Sequence, residues 1–327
     1  MPSPIIVGAA AVLAALSMPQ SAPSPAWATK PLRAGIIGTD TSHVPAFTRT
    51  FRDHPEWKIA VVAAYKGGSP DFPVSANRVE GFAKTIHDDY GVELVDSIDA
   101  LLAKVDVVLL ESVDGRPHLA QVTPVLKAGK RVFIDKPLAA SLEDAQRIAQ
   151  LARETRTPLF SSSSARFHPD IPRVRNDKSI GDVTRVQANY ALNVVPFHPD
   201  LFYYGIHGVE ALYAVMGRGC DRLTRQVTPD SDVTTCVWKD GRVGVYNALL
   251  QKADAKQPVL VLTGPKGSTS TGSPSNYDGL IAEIARFFHT GKPPVDLDET
   301  LEIIRFMTAA QISREKGGAE VRLQDVR

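Results

Sequence analysis

Apolar positions along this chain follow two rhythms. From residue 32, short unbroken apolar runs alternate with longer stretches in which apolar residues recur every three or four positions. The runs are 32–38 (LRAGIIG), 57–64 (WKIAVVAA), 105–110 (VDVVLL) and 131–134. They read as strands buried on both faces. Between and after them, helices are predicted over 41–54, 77–90, 98–103, 118–128 and 141–153. Thr41 and Ser42 are candidate caps of the first helix, and Ser141 of the last. Such an alternation predicts an α/β unit with a doubly wound parallel sheet, extending to about residue 160.

Beyond residue 160 the runs lengthen and their order changes. Strands are predicted over 184–195, 232–238, 241–250 and 259–263, with Lys239-Asp240-Gly241 as a hairpin turn. Two helices, 280–289 and 297–314, close the chain. Residues 268–276 are rich in Ser, Gly and Thr and read as a surface loop. The expected organisation is a Rossmann-type domain over 29–160 and an α+β domain over 161–327.

The first 28 residues stand apart. They contain no Asp, Glu, Lys or Arg, and an Ala-rich apolar run over 5–16 leads through a Pro/Ser stretch to Ala26-Trp27-Ala28. This pattern reads as a secretory signal peptide cleaved after Ala28, which implies a secreted or periplasmic protein. The run is too short to span a bilayer comfortably. In an oxidising compartment Cys220 and Cys236 could pair, or they could remain two separate buried thiols.

Composition narrows the partners. Of 327 residues 43% are hydrophobic and 22% charged, which excludes a disordered chain and a polytopic membrane protein. Lys plus Arg is 37 against 36 for Asp plus Glu, a net charge of +1. No one-signed field is available to hold a nucleic acid or, once the signal is removed, a membrane surface.

Four segments in order resemble the glucose–fructose oxidoreductase, inositol dehydrogenase and rhizopine-catabolism (Gfo/Idh/MocA) family. They are AGIIG at 34–38, the stretch from Val105 to Pro137 ending in Asp135-Lys136-Pro137, YYGIHGVE at 203–210, and the tail from Gly291. The resemblance implies a Rossmann domain followed by a domain with an open antiparallel sheet that often supplies an oligomer interface. It also implies NAD or NADP as cofactor and a carbohydrate or polyol as substrate.

The family pattern places the first βα turn at Gly38-Thr39-Asp40-Thr41-Ser42-His43. A dinucleotide turn needs glycines for the turn, the phosphate approach and the helix packing. Only Gly38 remains; Asp40 and His43 stand in the other two places. An Asp40 carboxylate about 4 Å from a phosphate costs roughly 1–4 kcal/mol, unless Asp40 instead caps the helix. The end of the second strand carries Lys66, which suits a 2′-phosphate, where an acid would grip the ribose. His118 and Asp135 complete the expected cofactor set.

Lys136 follows a strand at its carboxyl end, where open α/β sheets place ligands, and is the first catalytic candidate. His207 is the second, as the base that takes the hydroxyl proton. If 202–216 is helical, Tyr203 and Glu210 lie on the His207 face. Tyr203 occupies the family's aspartate position and can donate or accept a proton but supplies no fixed charge. Arg166, His168 and Glu210 are the expected substrate contacts. His43, His118, His207 and Glu210 match no metal motif, and no metal is expected.

Three functions remain open from the sequence. One is an oxidoreductase acting on a sugar, polyol or glycoside hydroxyl. Another is a redox-neutral lyase or hydrolase that retains NAD. The third is a cofactor-free carbohydrate-binding relative.

Overall fold

The computed structural model describes residues 23–250, 259–273 and 276–327. The interior of the proposed signal, residues 1–22, lies outside that range.

The first domain is built from β1 (Leu32–Ile37), α1 (His43–Asp53), β2 (Ile59–Tyr65), α2 (Pro73–Ala76), α3 (Val79–Tyr90), β3 (Glu93–Val95) and α4 (Ile98–Leu102). It continues through β4 (Val107–Leu110), α5 (His118–Lys127), β5 (Val132–Asp135), α6 (Leu142–Thr155) and β6 (Leu159–Ser162). The six strands are parallel in the order β3-β2-β1-β4-β5-β6. This is the doubly wound order, whose switch point lies between β1 and β4.

Alternate residues of each central strand face opposite layers, and both layers are apolar. Ala34, Ile36, Leu109 and Phe133 pack under Val44, Phe47 and Phe51 of α1. Val108, Leu110, Val132 and Ile134 pack under Val122, Val125 and Leu126 of α5 and Ile148 of α6. Each fully buried side chain of this size contributes about 1.5–3 kcal/mol. Ser141 caps α6 by accepting the Asp144 amide at 3.1 Å. Ser42 precedes α1 but makes no side-chain cap.

The second domain contains α7 (Ile171–Arg175), β7 (Arg185–Ala191), α8 (Ile206–Met216), β8 (Cys220–Thr228), β9 (Ser231–Trp238), β10 (Val243–Leu249), β11 (Leu260–Gly264) and β12 (Gly267–Ser270). It ends with α9 (Asp278–Thr290), α10 (Leu297–Glu315) and β13 (Val321–Arg322). The sheet order is β12-β11-β7-β10-β9-β8-β13. The sheet is mixed rather than wholly antiparallel, because β7 and β10 run parallel. Residues 268–270, expected in a loop, pair with β11 as part of β12.

One face of this sheet is covered. In β9 Asp232, Thr234, Cys236 and Trp238 are buried, while Ser231, Val233, Thr235 and Val237 are only half-buried. Trp238 packs on Tyr213 of α8, which in turn meets Phe306 of α10 edge-on. Gly208 lets α8 approach closely, since a Cβ there would stand 2.5 Å from the Tyr246 ring. Cys220 and Cys236 form a disulfide between β8 and β9, with Cα atoms 6.0 Å apart. α9 returns to the first domain, adding Ile284, Phe287 and Phe288 to the core under α1. The two domains therefore share packing through α9.

Candidate active site

The carboxyl end of β5 delivers Asp135 and Lys136, and the Lys136–Pro137 peptide is cis. Lys136 is 8% exposed, and its Nζ lies 3.4 Å from the Tyr203 carbonyl oxygen. The Tyr203 and Tyr204 rings lie 5.6 and 6.0 Å from that ammonium. Burial lowers the Lys136 pKa below the usual lysine range, and Asp135 only partly opposes the shift.

The segment before α8 does not continue it as an α-helix. Residues Leu201–Gly205 form a wider turn in which the Ile206 amide donates to the Leu201 carbonyl. The expected common α-helical face of Tyr203 and His207 is therefore absent. Both residues still line the cleft.

His207 is buried, and its Nδ1 lies 2.5 Å from Ser163 Oγ. Burial, Lys136 and His43 together push its pKa well below the usual histidine value, so the ring is neutral.

His43, at the start of α1, completes this wall. Its Nδ1 lies 2.7 Å from Asp135 Oδ2, and its ring is 4.7 Å from Tyr277, edge to face. Burial opposes ionisation of Asp135, but His43 and Lys136 outweigh it and hold the carboxyl below its ordinary value.

Lys136, His207, His43, Tyr203, Thr41 and Ser42 thus border one cleft of about 570 Å³. Sequence reading missed the rest of its lining: Arg78, Val113, Ser164, Tyr190, Asn193, Tyr204, Asn276 and Tyr277. No motif marks them. Only the doubled tyrosine at 203–204 gave a local signal.

The remaining expected residues lie elsewhere. Asp40 neither faces a phosphate site nor caps α1. It is 0% exposed; Oδ1 accepts the Val113 amide at 2.9 Å and Oδ2 accepts the Ser75 hydroxyl at 2.5 Å. Thr39 is also fully buried and donates its hydroxyl to the Val79 carbonyl at 3.0 Å. Gly38 has a φ of +88°, and a Cβ there would meet Ser112 Oγ at 2.3 Å. Its glycine serves the close approach of β1 to the chain after β4. Lys66 pairs with Glu80 at 2.9 Å and does not line the cleft. His118 is 0% exposed and its ring bridges the Ser112 and Leu138 carbonyls, so it ties two turns together instead of meeting a ligand.

The three expected substrate contacts are corrected in the same way. Arg166 Nε donates to Glu210 Oε2 at 2.5 Å, and its Nη2 lies 2.7 Å from Glu299. This buried ion group joins the chain after β6 to α8 and α10. His168 meets the Ser273 carbonyl at 2.8 Å. None of the three borders the cleft.

The donors left at the first βα turn suit a diphosphate. The Gly38 and Thr39 amides are taken by the Tyr65 and Lys66 carbonyls. Ser42 makes no side-chain cap on α1; the His43 amide lies 3.4 Å from Thr41 Oγ1 and the Val44 amide 3.3 Å from the Thr41 carbonyl, and Thr41, Ser42 and His43 line the cleft. A helix start of this kind attracts anions. The carboxylate that threatened to repel them points inward. Residues 41–43 fit a dinucleotide's phosphates.

Fold and comparisons together support a class, an NAD(P)-dependent oxidoreductase built on a Rossmann domain. Residues 32–162 match the Gfo/Idh/MocA model, described as an oxidoreductase family with an NAD-binding Rossmann fold. The chain is 23% identical over 308 residues to D-xylose 1-dehydrogenase (NADP+) 2 of Haloferax volcanii, covering 80% of this chain and 94% of that protein. It is 28% identical over 157 residues to 1,5-anhydro-D-fructose reductase of Ensifer adhaerens, covering 48% and 46%. Among solved structures it resembles an Agrobacterium radiobacter oxidoreductase in complex with NAD+, L-tartaric acid and magnesium. The TM-score is 0.71 and the identity 17%, over 90% of this chain and 99% of that one. It also resembles apo scyllo-inositol dehydrogenase of Lactobacillus casei, with TM-score 0.70 and 16% identity over 90% and 99%. At these identities the structures speak for the fold.

Proposed function

We propose that the protein oxidises, or in reverse regenerates, a hydroxyl on a sugar or polyol, with Lys136 and His207 handling the hydroxyl proton. One observation carries this reading: Lys136, Tyr203 and His207 meet in a single cleft beside the open start of α1. Sugar- and polyol-type relatives support the substrate class. Nicotinamide, when bound, supplies the hydride acceptor, held through the phosphates by Thr41, Ser42 and His43.

This chain's residues do the rest. The Lys136 ammonium donates to the substrate oxygen and stabilises the alkoxide that forms as its proton leaves. With Nδ1–H donated to Ser163 Oγ, His207 offers its Nε2 lone pair to the hydroxyl proton; this tautomer is assigned from the hydrogen bond. The cleft tyrosines offer ring faces to the sugar's C–H surface and keep the reacting oxygen out of bulk water. The test is a screen of pentoses, hexoses and polyols with NAD+ and NADP+. A ketone or lactone product with matching reduced nicotinamide supports the reading. Conversion with no net nicotinamide change would favour redox-neutral chemistry instead.

We further propose export after signal cleavage, and assembly of a homo-oligomer through the half-buried face of the second sheet. The Cys220–Cys236 disulfide supports the first, since such bonds persist in oxidising compartments. Trp27 packs 5.5 Å from His289 and Ala28 is buried, contacts that a cut after Ala28 would remove and that favour a cut upstream of Trp27; amino-terminal sequencing of the mature protein decides between the two. Light scattering measures the oligomer. A monomer would refute the second proposal.

A further inference from the structure

Charge in the cleft is one-sided. Lys136 and Arg78 border it together with His43 and His207, and no aspartate or glutamate does among the described residues. The acids that lie nearby are withdrawn. Asp135 is 2% exposed; one of its oxygens is held by His43, and the other accepts the Lys136 backbone amide at 2.9 Å. Asp40 is closed by Ser75 and Val113. Glu210 is 1% exposed and engaged by Arg166.

The cations are not matched in this way. Arg78 is exposed at the start of α3, and its guanidinium has no hydrogen-bond or ion-pair partner among the described residues. The Lys136 ammonium has one acceptor, the Tyr203 carbonyl. Arg78 also acts electrostatically on the Tyr203 phenol. Both cations and Tyr203 line the same cleft. An anion bound in a cleft lined by two cations and no acid gains from the charge of both.

We infer that the preferred substrate is a sugar acid, whose carboxylate is received by Arg78 beside the hydroxyl that Lys136 and His207 engage. A guanidinium fork matches a carboxylate with two parallel hydrogen bonds. The tyrosine rings take the apolar face of the sugar ring. This inference rests on the dehydrogenase reading above and adds to it the charge of the substrate. A phosphate ester presents similar chemistry, on a sugar or on the dinucleotide, so the experiment has an arm for each.

The test is calorimetric titration of the purified protein with D-glucuronate and D-galacturonate, each against its uncharged amide. Glucose 6-phosphate, NAD+ and NADP+ form the other arms. At least one acid is expected to bind about tenfold or more tighter than its amide. Arg78→Gln is expected to erase that preference while leaving amide and dinucleotide affinities within about threefold, and Arg78→Lys to retain part of it. Arg78 is exposed, so these variants fold.

Equal binding of acid and amide, or no binding of either acid, overturns the inference. Tighter binding of glucose 6-phosphate than of both acids overturns it in favour of a phosphate ester. Loss of NADP+ affinity in Arg78→Gln with acid affinity intact overturns it by assigning Arg78 to the cofactor. Dinucleotide binding without acid preference leaves the dehydrogenase reading standing. Failure of both dinucleotides to bind sinks that reading instead.

Discussion

His43 Nδ1 lies 2.7 Å from Asp135 Oδ2, joining the start of α1 to the end of β5. Asp135 Oδ1 accepts the backbone amide of the next residue, Lys136. His43 therefore fixes the turn that presents the Lys136 ammonium, and under the proposed function it is a positioning residue in that respect. Replacing it with alanine should lower kcat by about 10- to 100-fold through a misplaced Lys136. The alkaline limb of the rate profile should move with it, because Asp135 loses its partner and turns toward Lys136. Steady-state kinetics across pH check this. An unchanged limb would reduce His43 to a packing residue.

The two groups proposed to move the proton predict the shape of that profile. His207 must be unprotonated to act as a base, and its pKa is pushed well below the ordinary histidine value. The acid limb should therefore fall below the usual histidine range. Lys136 must be protonated, and burial lowers its pKa. The alkaline limb should fall below the usual lysine range. Lys136→Arg keeps the charge and should remove that limb, with kcat down by about 10- to 100-fold from altered geometry. His207→Asn should cost about 100- to 10,000-fold.

Glu111, just beyond β4, is 0% exposed, and neither carboxyl oxygen has a hydrogen-bond partner among the described residues. Burial, then Asp135 and Asp40, raise its pKa well above the ordinary carboxyl value. A raised folded-state pKa gives stability that is full below the unfolded value and is lost as pH rises through the folded one. Wild-type protein should therefore lose stability across that window. Glu111→Gln keeps the shape without the acid, so it should be flatter with pH and more stable near neutrality by about 1–3 kcal/mol. Urea denaturation at several pH values measures the difference. Equal pH slopes for the two proteins would contradict the assignment.

Asp40 is the residue whose sequence position most threatened dinucleotide binding, and its carboxylate is turned into the seam between β1 and β4. Asp40→Asn retains an acceptor for the Val113 amide and should leave dinucleotide affinity within about threefold. Asp40→Gly leaves that amide and the Ser75 hydroxyl without their acceptor, and should cost about 2–4 kcal/mol of stability. It should bring no gain in affinity. Thermal denaturation and cofactor titration of both variants decide this.

The strands of the first sheet were legible wherever both faces are buried, as in β1, β4 and β5. β3 has three residues at the sheet edge, and β8 reads as polar because Arg225 occupies an inward position, where it pairs with Asp232 at 2.6 Å. Neither carries an apolar rhythm. In the site, Lys136 and His207 sit in the segments that carry the family resemblance, and both line the cleft, although the helical spacing expected over 202–216 breaks down before α8. Arg166 and Glu210 were misplaced because their ion pair closes over 44 residues of sequence. Arg78 was missed for the converse reason: it joins the cleft only through the course of the chain after β2, which leaves no mark in the sequence.

The most direct measurement is equilibrium dialysis of the purified protein against NAD+, NADH, NADP+ and NADPH. The account predicts saturable binding of at least one of them in the micromolar range, at one site per chain, weakened by substitutions in the first turn of α1. Absence of binding at millimolar concentrations of all four would contradict it.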